Sequence, residues 1–427
     1  MIFVAMCDRS LSLLSPQTWP FSLELLPESA YMVGGAVRDA LLKRRSTYLD
    51  LDFVVATESI QIAKKLANYY KAGFVVLDAQ RQIARVVFDD ATVDFAKLEG
   101  DRLETDLQRR DYTINAIAYN PHTGELIDPL QGYADLQAGV IKMVSAQNLQ
   151  DDPLRLLRAY RQAAQLGFTI EPETQATIRQ LAPLLAEIAA ERVRVELGYL
   201  LSMSQGTPWL IAAYQDNLLS VWFPSVTSEK LEQLLAVENW AVELGKKWEN
   251  LGKEIQEKIS DTIKTSWLSL AKLSCLVSSD PQQAEAELTN LRYSRAEIKG
   301  VTCALKFLQK IEAVTTDEIS LSDQYFFFLE AGKNFPSVAA FAIPERVPLT
   351  VSSTLIERYV NPDDQVAHPT QLVTGKELMQ ALNLASGQQI GLLLTQIQLA
   401  RIEGKISTPA EAIKLAYQLL DAHEKNS

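Results

Sequence analysis

Histidine and cysteine are scarce, with three of each in 427 residues. Cys7, Cys275 and Cys303 are far apart and odd in number. They offer no metal or redox spacing and read as buried, reduced thiols. His122, His368 and His423 have no aspartate beside them. That excludes the His-Asp cluster of a metal phosphohydrolase, and no phosphatase activity is expected. No run of eighteen apolar residues exists, so no transmembrane helix is expected. Met1 to Arg9 is apolar but has no basic leader and is interrupted early by charge, so it does not read as a secretory signal. A basic excess is also missing: the net charge is −12 and the pI about 5.0. This counts against non-specific nucleic-acid binding, although a local basic groove remains compatible with it. These absences point to a cytoplasmic protein. Hydrophobic content of 47% and charged content of 22% suit a globular chain of two to four domains.

Against that background one segment stands out. Asp50 and Asp52 lie in Tyr48-Leu49-Asp50-Leu51-Asp52-Phe53-Val54-Val55, whose apolar residues predict a buried strand. Side chains alternate along a strand, so the two carboxylates point the same way. Neighbouring carboxylates raise each other's cost of ionisation. A divalent cation removes that cost, and hard oxygen ligands suit magnesium shared with substrate phosphates. Upstream, Tyr31-Met32-Val33 predicts a short strand and Ala36 to about Arg45 a helix, with Gly34-Gly35 between them. Glycine lets the backbone approach a ligand closely, and a helix N-terminus offers free N–H groups to a phosphate.

Residues up to about 145 mix strands and helices. Strands are expected at 31–33, 50–55, 73–78, 83–88 and 91–97, and near 124–128. Helices are expected at 36–45 and 58–71. Asp89-Asp90 suits a hairpin turn. From Asp152 onward the pattern is almost wholly helical, with breaks at residues such as Gly167, Pro183, Gly206 to Pro208 and Asp280-Pro281. The stretch Pro348 to Thr370 reads as loop-rich and separates a last helical unit, 371–427.

Three further motifs carry chemistry. Asp94, in Thr92-Val93-Asp94-Phe95-Ala96, alternates with apolar neighbours and is the natural third acid for phosphoryl transfer. An edge-strand acid facing water fits the same pattern. In Arg109-Arg110-Asp111-Tyr112-Thr113-Ile114-Asn115-Ala116, adjacent arginines suit a triphosphate, Asp111 a ribose hydroxyl and Asn115 a loop or sugar. A charged helix start is the plainer alternative. In Asp151-Asp152-Pro153-Leu154-Arg155-Leu156-Leu157-Arg158-Ala159-Tyr160-Arg161, Asp152 before Pro153 reads as a helix cap. Asp152 and Arg155 also match the donor and acceptor edge of cytosine, and with a small shift that of adenine. Arg158 and Arg161 would then face nucleic-acid phosphates. On spacing alone the cap is the simpler reading.

Taken in order, these motifs resemble those of the class II tRNA nucleotidyltransferase and bacterial poly(A) polymerase family. Gly34-Gly35-Ala36-Val37-Arg38-Asp39 with Asp50-Leu51-Asp52 is similar to the catalytic motif, and Arg109 to Ala116 to the ribose and triphosphate motif. Asp128-Pro129, Gly132, Asp135-Leu136 and Gly139 are similar to the hinge between head and neck. Asp151 to Arg155 is similar to the nucleotide-selecting motif, and Glu191-Arg192-Val193-Arg194-Val195-Glu196-Leu197 to the neck helix. Downstream the likeness thins to Gly387-Gln388-Gln389-Ile390-Gly391-Leu392-Leu393.

The resemblance implies an α+β fold: a polymerase-beta-like nucleotidyltransferase head (1–145) followed by an all-helical neck (146–205), body (206–370) and tail (371–427). It implies untemplated, magnesium-dependent addition of C, C and A to a tRNA 3′ end from CTP and ATP. Asp50 and Asp52 would bind the metal, with Asp94 completing the acidic set. Gly34, Gly35, Arg38, Arg109, Arg110, Asp111, Asn115, Asp152, Arg155 and Arg158 would bind nucleotide. The partners implied are tRNA, through its acceptor end, and CTP with or without ATP, with no membrane and no obligatory protein partner. RNA contact is expected through local cations such as Arg158, Arg161, Arg192 and Arg194.

One departure matters. The Asp94 strand is followed by only Lys97 to Leu107, and then by Gln108 and Arg109-Arg110. Members that add all three nucleotides carry a longer loop here, which reorients the base reader from C to A. Eleven residues tied to a strand have little freedom to act as a lever, so addition of CC alone is expected. Asp151 in place of a glutamate is a conservative departure. A poly(A) polymerase shares every motif quoted, and a non-catalytic RNA-binding protein on the same fold is the reading from another class.

Overall fold

The computed structural model describes residues 14–44, 48–260, 263–312, 319–344 and 346–426. Cys7, the Met1 to Arg9 segment and Arg45 lie outside them. The chain divides into two compact units after Val221.

The first unit is built on one mixed sheet. Its elements are β1 (Tyr31–Val33), α1 (Gly35–Leu41), β2 (Leu49–Val55), α2 (Ser59–Tyr70), β3 (Gly73–Asp78), β4 (Ile83–Val87), β5 (Ala91–Lys97), α3 (Leu103–Gln108), β6 (Ala118–Asn120) and β7 (Glu125–Ile127). The strand order is β3-β4-β5-β2-β1-β6-β7. β2 and β5 run parallel, and the remaining pairs in this sheet are antiparallel. A parallel pair needs a crossover, which α2 and the β3–β4 hairpin supply. Alternation along β2 and β5 divides the faces. Phe53 and Phe95 stack with centroids 5.6 Å apart, and Trp19 meets Phe53 edge-on at 5.3 Å. α2 packs against β4 and β5 and buries Ala63, Leu66 and Ala67. The opposite face carries Asp50, Asp52 and Asp94.

The unit continues with α4 (Gly132–Ala138), β8 (Val140–Ile141), α5 (Ala146–Asp151), α6 (Leu154–Leu166), β9 (Thr169–Ile170), α7 (Pro172–Leu181), α8 (Ala190–Ser202) and α9 (Gly206–Gln215). α6 packs against α8 and α9 and buries Leu156, Leu157, Tyr160 and Ala163. Gly167, at φ +73°, ends α6 in the left-handed conformation that glycine adopts without strain.

The second unit is helical apart from one ribbon. α10 (Ser228–Lys247), α11 (Glu249–Gln256), α12 (Trp267–Ser274), α13 (Pro281–Asn290), α14 (Arg295–Glu312), α15 (Leu321–Ala331), α16 (Phe335–Phe341) and α17 (Leu349–Val360) precede α18 (Gly375–Leu382), α19 (Gln388–Ile402) and α20 (Pro409–Asn426). Val373, Leu378, Leu382, Ile390, Leu393, Ile397, Ala412 and Ala416 form the core shared by these last three helices. Cys275 and Cys303 are buried free thiols, and burial pushes Cys275 up to about 12. No described helix is long and apolar enough to cross a membrane.

The expected strands and the Asp89-Asp90 turn are present, with differences that have local causes. α1 stops at Leu41, where Leu42 caps it and Lys43 turns left-handed at φ +57°. β6 was not expected. The helical half is not purely helical: β8 pairs with β9, and β10 (Lys258–Ser260) pairs with β11 (Ile263–Ser266). Most of 348–360 is helix rather than loop, because Val351, Leu355 and Ile356 share a buried face that a reading dominated by Pro348 and Asn361-Pro362 passed over.

Two glycines test the packing. A Cβ on Gly132 would stand 2.1 Å from the Thr113 carbonyl oxygen, whereas one on Gly198 meets nothing within 4 Å. Gly132→Ala is expected to destabilise by about 1–3 kcal/mol. Gly198→Ala, inside α8, is expected to stabilise by roughly 0.5–1 kcal/mol. Urea midpoints of the two variants check both signs.

Candidate active site

The β2–β5 register sets the acids side by side. Asp52 lies opposite Asp94 and Asp50 opposite Thr92, while on the other flank Val33 of β1 lies opposite Asp52. Thr92 Oγ1 donates to Asp50 Oδ1 at 2.8 Å. Arg85, opposite Asp94 on β4, forks onto it: Nε donates to Oδ1 and Nη2 to Oδ2, each at 2.7 Å. Gly34, at φ +74°, closes the corner above Asp52. A Cβ there would stand 3.2 Å from Asp52 Oδ2 and 3.6 Å from an Arg110 guanidinium nitrogen. Only glycine combines that conformation with that approach.

Burial, then repulsion from Asp50 and Asp94, pushes Asp52 from 3.8 up to about 7, against smaller opposing pulls from Arg110 and Arg85. A group of oxygens that resists carrying its full charge alone is chemically suited to a hard divalent cation. Asp50 and Asp52 are the pair placed to hold one, with Asp94 occupied by Arg85. Among the described residues, no three His, Cys, Asp or Glu side chains converge into a metal cage, so the remaining ligands would come from substrate phosphates and water.

A second cluster lies between the segment that follows α3 and α6. Asp111 is buried. Its Oδ1 accepts from the Tyr112 amide at 2.8 Å and Asn115 Nδ2 at 2.9 Å, and its Oδ2 from Arg158 Nε at 3.0 Å and Gln162 Nε2 at 3.4 Å. Burial alone would push its pKa up, but Arg158 and these hydrogen bonds outweigh it and hold the carboxyl well below the usual range. Arg38, also buried, donates to Asn115 Oδ1 at 2.9 Å and Gln162 Oε1 at 3.3 Å. Arg158 Nη1 lies 3.9 Å from Glu196 of α8, which Arg161 Nε binds at 2.5 Å.

The two arginines of the Arg109-Arg110 pair go different ways. They sit at the end of α3, not at a helix start. Arg109 is exposed and pairs with Glu99 at 3.0 Å. Arg110 binds Asp106 at 3.0 Å and lies near Gly34, and its buried Nε has no partner. Asp152 does not cap α6: it ends α5, Pro153 takes the cap position, and its carboxylate is held by both Arg192 nitrogens at 3.2 and 2.9 Å. Arg155 donates through Nη1 to the carbonyls of Arg109 at 2.9 Å and Asn148 at 3.0 Å.

The acids Asp50, Asp52 and Asp94, with Gly34 and Arg110, thus form one cluster. Arg38, Asp111, Asn115 and Arg158 form another, and Asp152 and Arg155 hold separate bonds beside it. Sequence reasoning missed Arg85, Thr92 and Gln162. Arg85 and Thr92 become visible once the strands are set in register, and Gln162 lies one helical turn beyond Arg158.

The metal-free protein is expected to show the charge conflict as a pH dependence. Asp52 binds its proton more tightly folded than unfolded, so its ionisation costs stability as pH rises from about 4 to about 7. Asp52→Asn is expected to gain thermal stability over the parent across that window, with the gain level above it and absent near pH 3. Melting curves in chelator at several pH values check this; a pH-independent difference contradicts it.

Residues 30–142 match the model of the poly(A) polymerase head domain, 167–230 that of the RNA and SrmB binding site of polymerase A, and 261–416 that of tRNA nucleotidyltransferase domain 2. The chain is 46% identical over 406 residues to a CC-adding tRNA nucleotidyltransferase of Synechocystis, covering 94% of this chain and 96% of that protein. It is 31% identical over 400 residues to a CC-adding tRNA nucleotidyltransferase of Geobacter sulfurreducens, covering 90% of each. Its fold is similar to that of a CCA-adding enzyme solved with ATP, with a TM-score of 0.70, 23% identity, and 92% and 91% of the two chains covered. The chain belongs to the tRNA nucleotidyltransferase family, whose head domain is shared with poly(A) polymerases.

Proposed function

We propose that this protein adds two cytidines to the 3′ end of tRNA from CTP, without a template, and stops before adenosine. The observation that carries the chemistry is the Asp50–Asp52 pair beneath Gly34, flanked by Arg110. A divalent cation held there, magnesium in our reading, would neutralise developing charge on the triphosphate. Asp50 and Asp52 orient their oxygens to one face of β2. Arg110 brings a fixed positive charge to the same corner, suited to the triphosphate. Asp111, kept ionised by its partners, is an acceptor for a ribose hydroxyl. Arg38 and Asn115 hold the wall around it. Asp152 and Arg155 read the incoming base, which requires Asp152 to share its carboxylate with Arg192. The described bonds of Arg155 all run through Nη1, which leaves the other edge of its fork for the base.

The stop after CC is supported by the segment after β5. Leu98 N–H donates to the Val55 carbonyl, and Glu99 N–H to Asp106 Oδ1 at 3.2 Å. α3 then buries Leu103 and Leu107 against Val33, Val54, Ala116 and Ala118. A segment pinned this closely to the sheet cannot swing a base reader from C to A. Both CC-adding relatives described above agree with that reading.

On tRNA lacking its 3′ triplet, CTP alone is expected to give a two-nucleotide extension, and CTP with ATP the same product. Quantitative adenosine incorporation would contradict the stop, and repeated adenosine addition to generic RNA ends would favour a poly(A) polymerase. Asp50→Ala or Asp52→Ala is expected to lower transfer by roughly three orders of magnitude while tRNA binding persists. Arg155→Ala is expected to lower discrimination of CTP over UTP by about tenfold, since it removes the donor facing the base.

A further inference from the structure

The third acid is not free. Both oxygens of Asp94 lie in the fork of Arg85 at 2.7 Å, and the pair is only part-exposed. The register leaves Arg85 little choice: its neighbours across the sheet are Asp94 on β5 and the apolar Val75 on β3. Arg85 is therefore a fixed cation on the same face as Asp50 and Asp52, placed by strand pairing and not by a flexible loop. We infer that Arg85 is a positioning residue that keeps Asp94 out of the cation's ligand set. The nucleotide-free site is thereby left with two carboxylates and weak affinity, and the cation enters together with the triphosphate. The inference rests on the assignment of Asp50 and Asp52 as cation ligands in the proposed function.

The physical expectation has a definite sign. Removing Arg85 deletes a positive charge near the site and releases two carboxylate oxygens, so a bare cation should bind more tightly. Arg85 stands two strands from Asp50 and Asp52, and a unit charge roughly 10 Å from a divalent ion, at an effective dielectric of about 40, is worth roughly an order of magnitude in affinity.

The test is Mn2+ binding to the full-length, nucleotide-free protein, followed by electron paramagnetic resonance of the free ion. It needs neither tRNA nor turnover. Arg85→Ala is expected to lower the Mn2+ Kd by about tenfold, Arg85→Lys to fall between it and the parent, and Arg85→Ala with Asp94→Asn to lose the gain. Adding CTP should tighten Mn2+ binding strongly in the parent and much less in Arg85→Ala. An Arg85→Ala protein that binds bare Mn2+ no better than the parent overturns the inference. Asp50→Asn with Asp52→Asn separates the two levels of the argument. If that protein binds Mn2+ as the parent does, the cation assignment itself fails; if it does not bind while Arg85→Ala is unchanged, only the role of Arg85 fails.

Discussion

Crowding of like charge on one face of two parallel strands is the constraint around which the head is arranged. The β2–β5 pairing places Asp52 directly opposite Asp94, one pleat from Asp50. Such a cluster destabilises the fold unless something offsets it. Each neighbour does so in part: Thr92 donates to Asp50, Arg85 forks onto Asp94, and Arg110 stands near Asp52. Asp52 keeps its proton up to about pH 7, first because it is buried and then because Asp50 and Asp94 repel its charge by more than Arg110 and Arg85 offset. That residue of strain is the part useful for binding a cation, because a fully satisfied cluster would have nothing left to gain.

The second cluster has the opposite character. Asp111 is buried, yet both its oxygens are hydrogen-bonded and its partners hold it ionised. The network runs from Arg38 on α1 through Asn115 and Gln162 to Asp111, then through Arg158 to Glu196 on α8. Buried polar networks of this kind specify geometry more than they add stability. Here the geometry specified is the placement of α6 and α8 against the loop that carries Asp111.

How far the sequence could be read follows from which interactions are local. Alternation in 50–55 and 91–97 foretold both strands and the shared face of Asp50 and Asp52, because that information lies within a few residues. The glycine corner was legible for the same reason. Arg85 was not, since its partner is fixed by register across a hairpin. Asp152 misled: Asp before Pro is a strong local cap signal, but an arginine forty residues away takes the carboxylate. The ordered motifs carried the family, whereas propensity alone missed β6, the ribbon at 258–266 and the helix at 349–360.

Charge presents the remaining problem, since a chain of net charge −12 must meet a polyanion. Most of the arginines that looked available in the first unit are engaged internally. Arg158 and Arg161 bind Asp111 and Glu196, and Arg192 holds Asp152. In these pairs they hold a polyanion only if it displaces those carboxylates. A surface so arranged has little non-specific affinity for nucleic acid, because the sequence-independent part of such binding scales with the phosphates neutralised. Selection must then rest on short-range fit at the RNA terminus. For an enzyme that acts on one end of one class of RNA amid a great excess of other phosphate backbone, weak long-range attraction is an advantage, as fewer molecules are held on the wrong polymer.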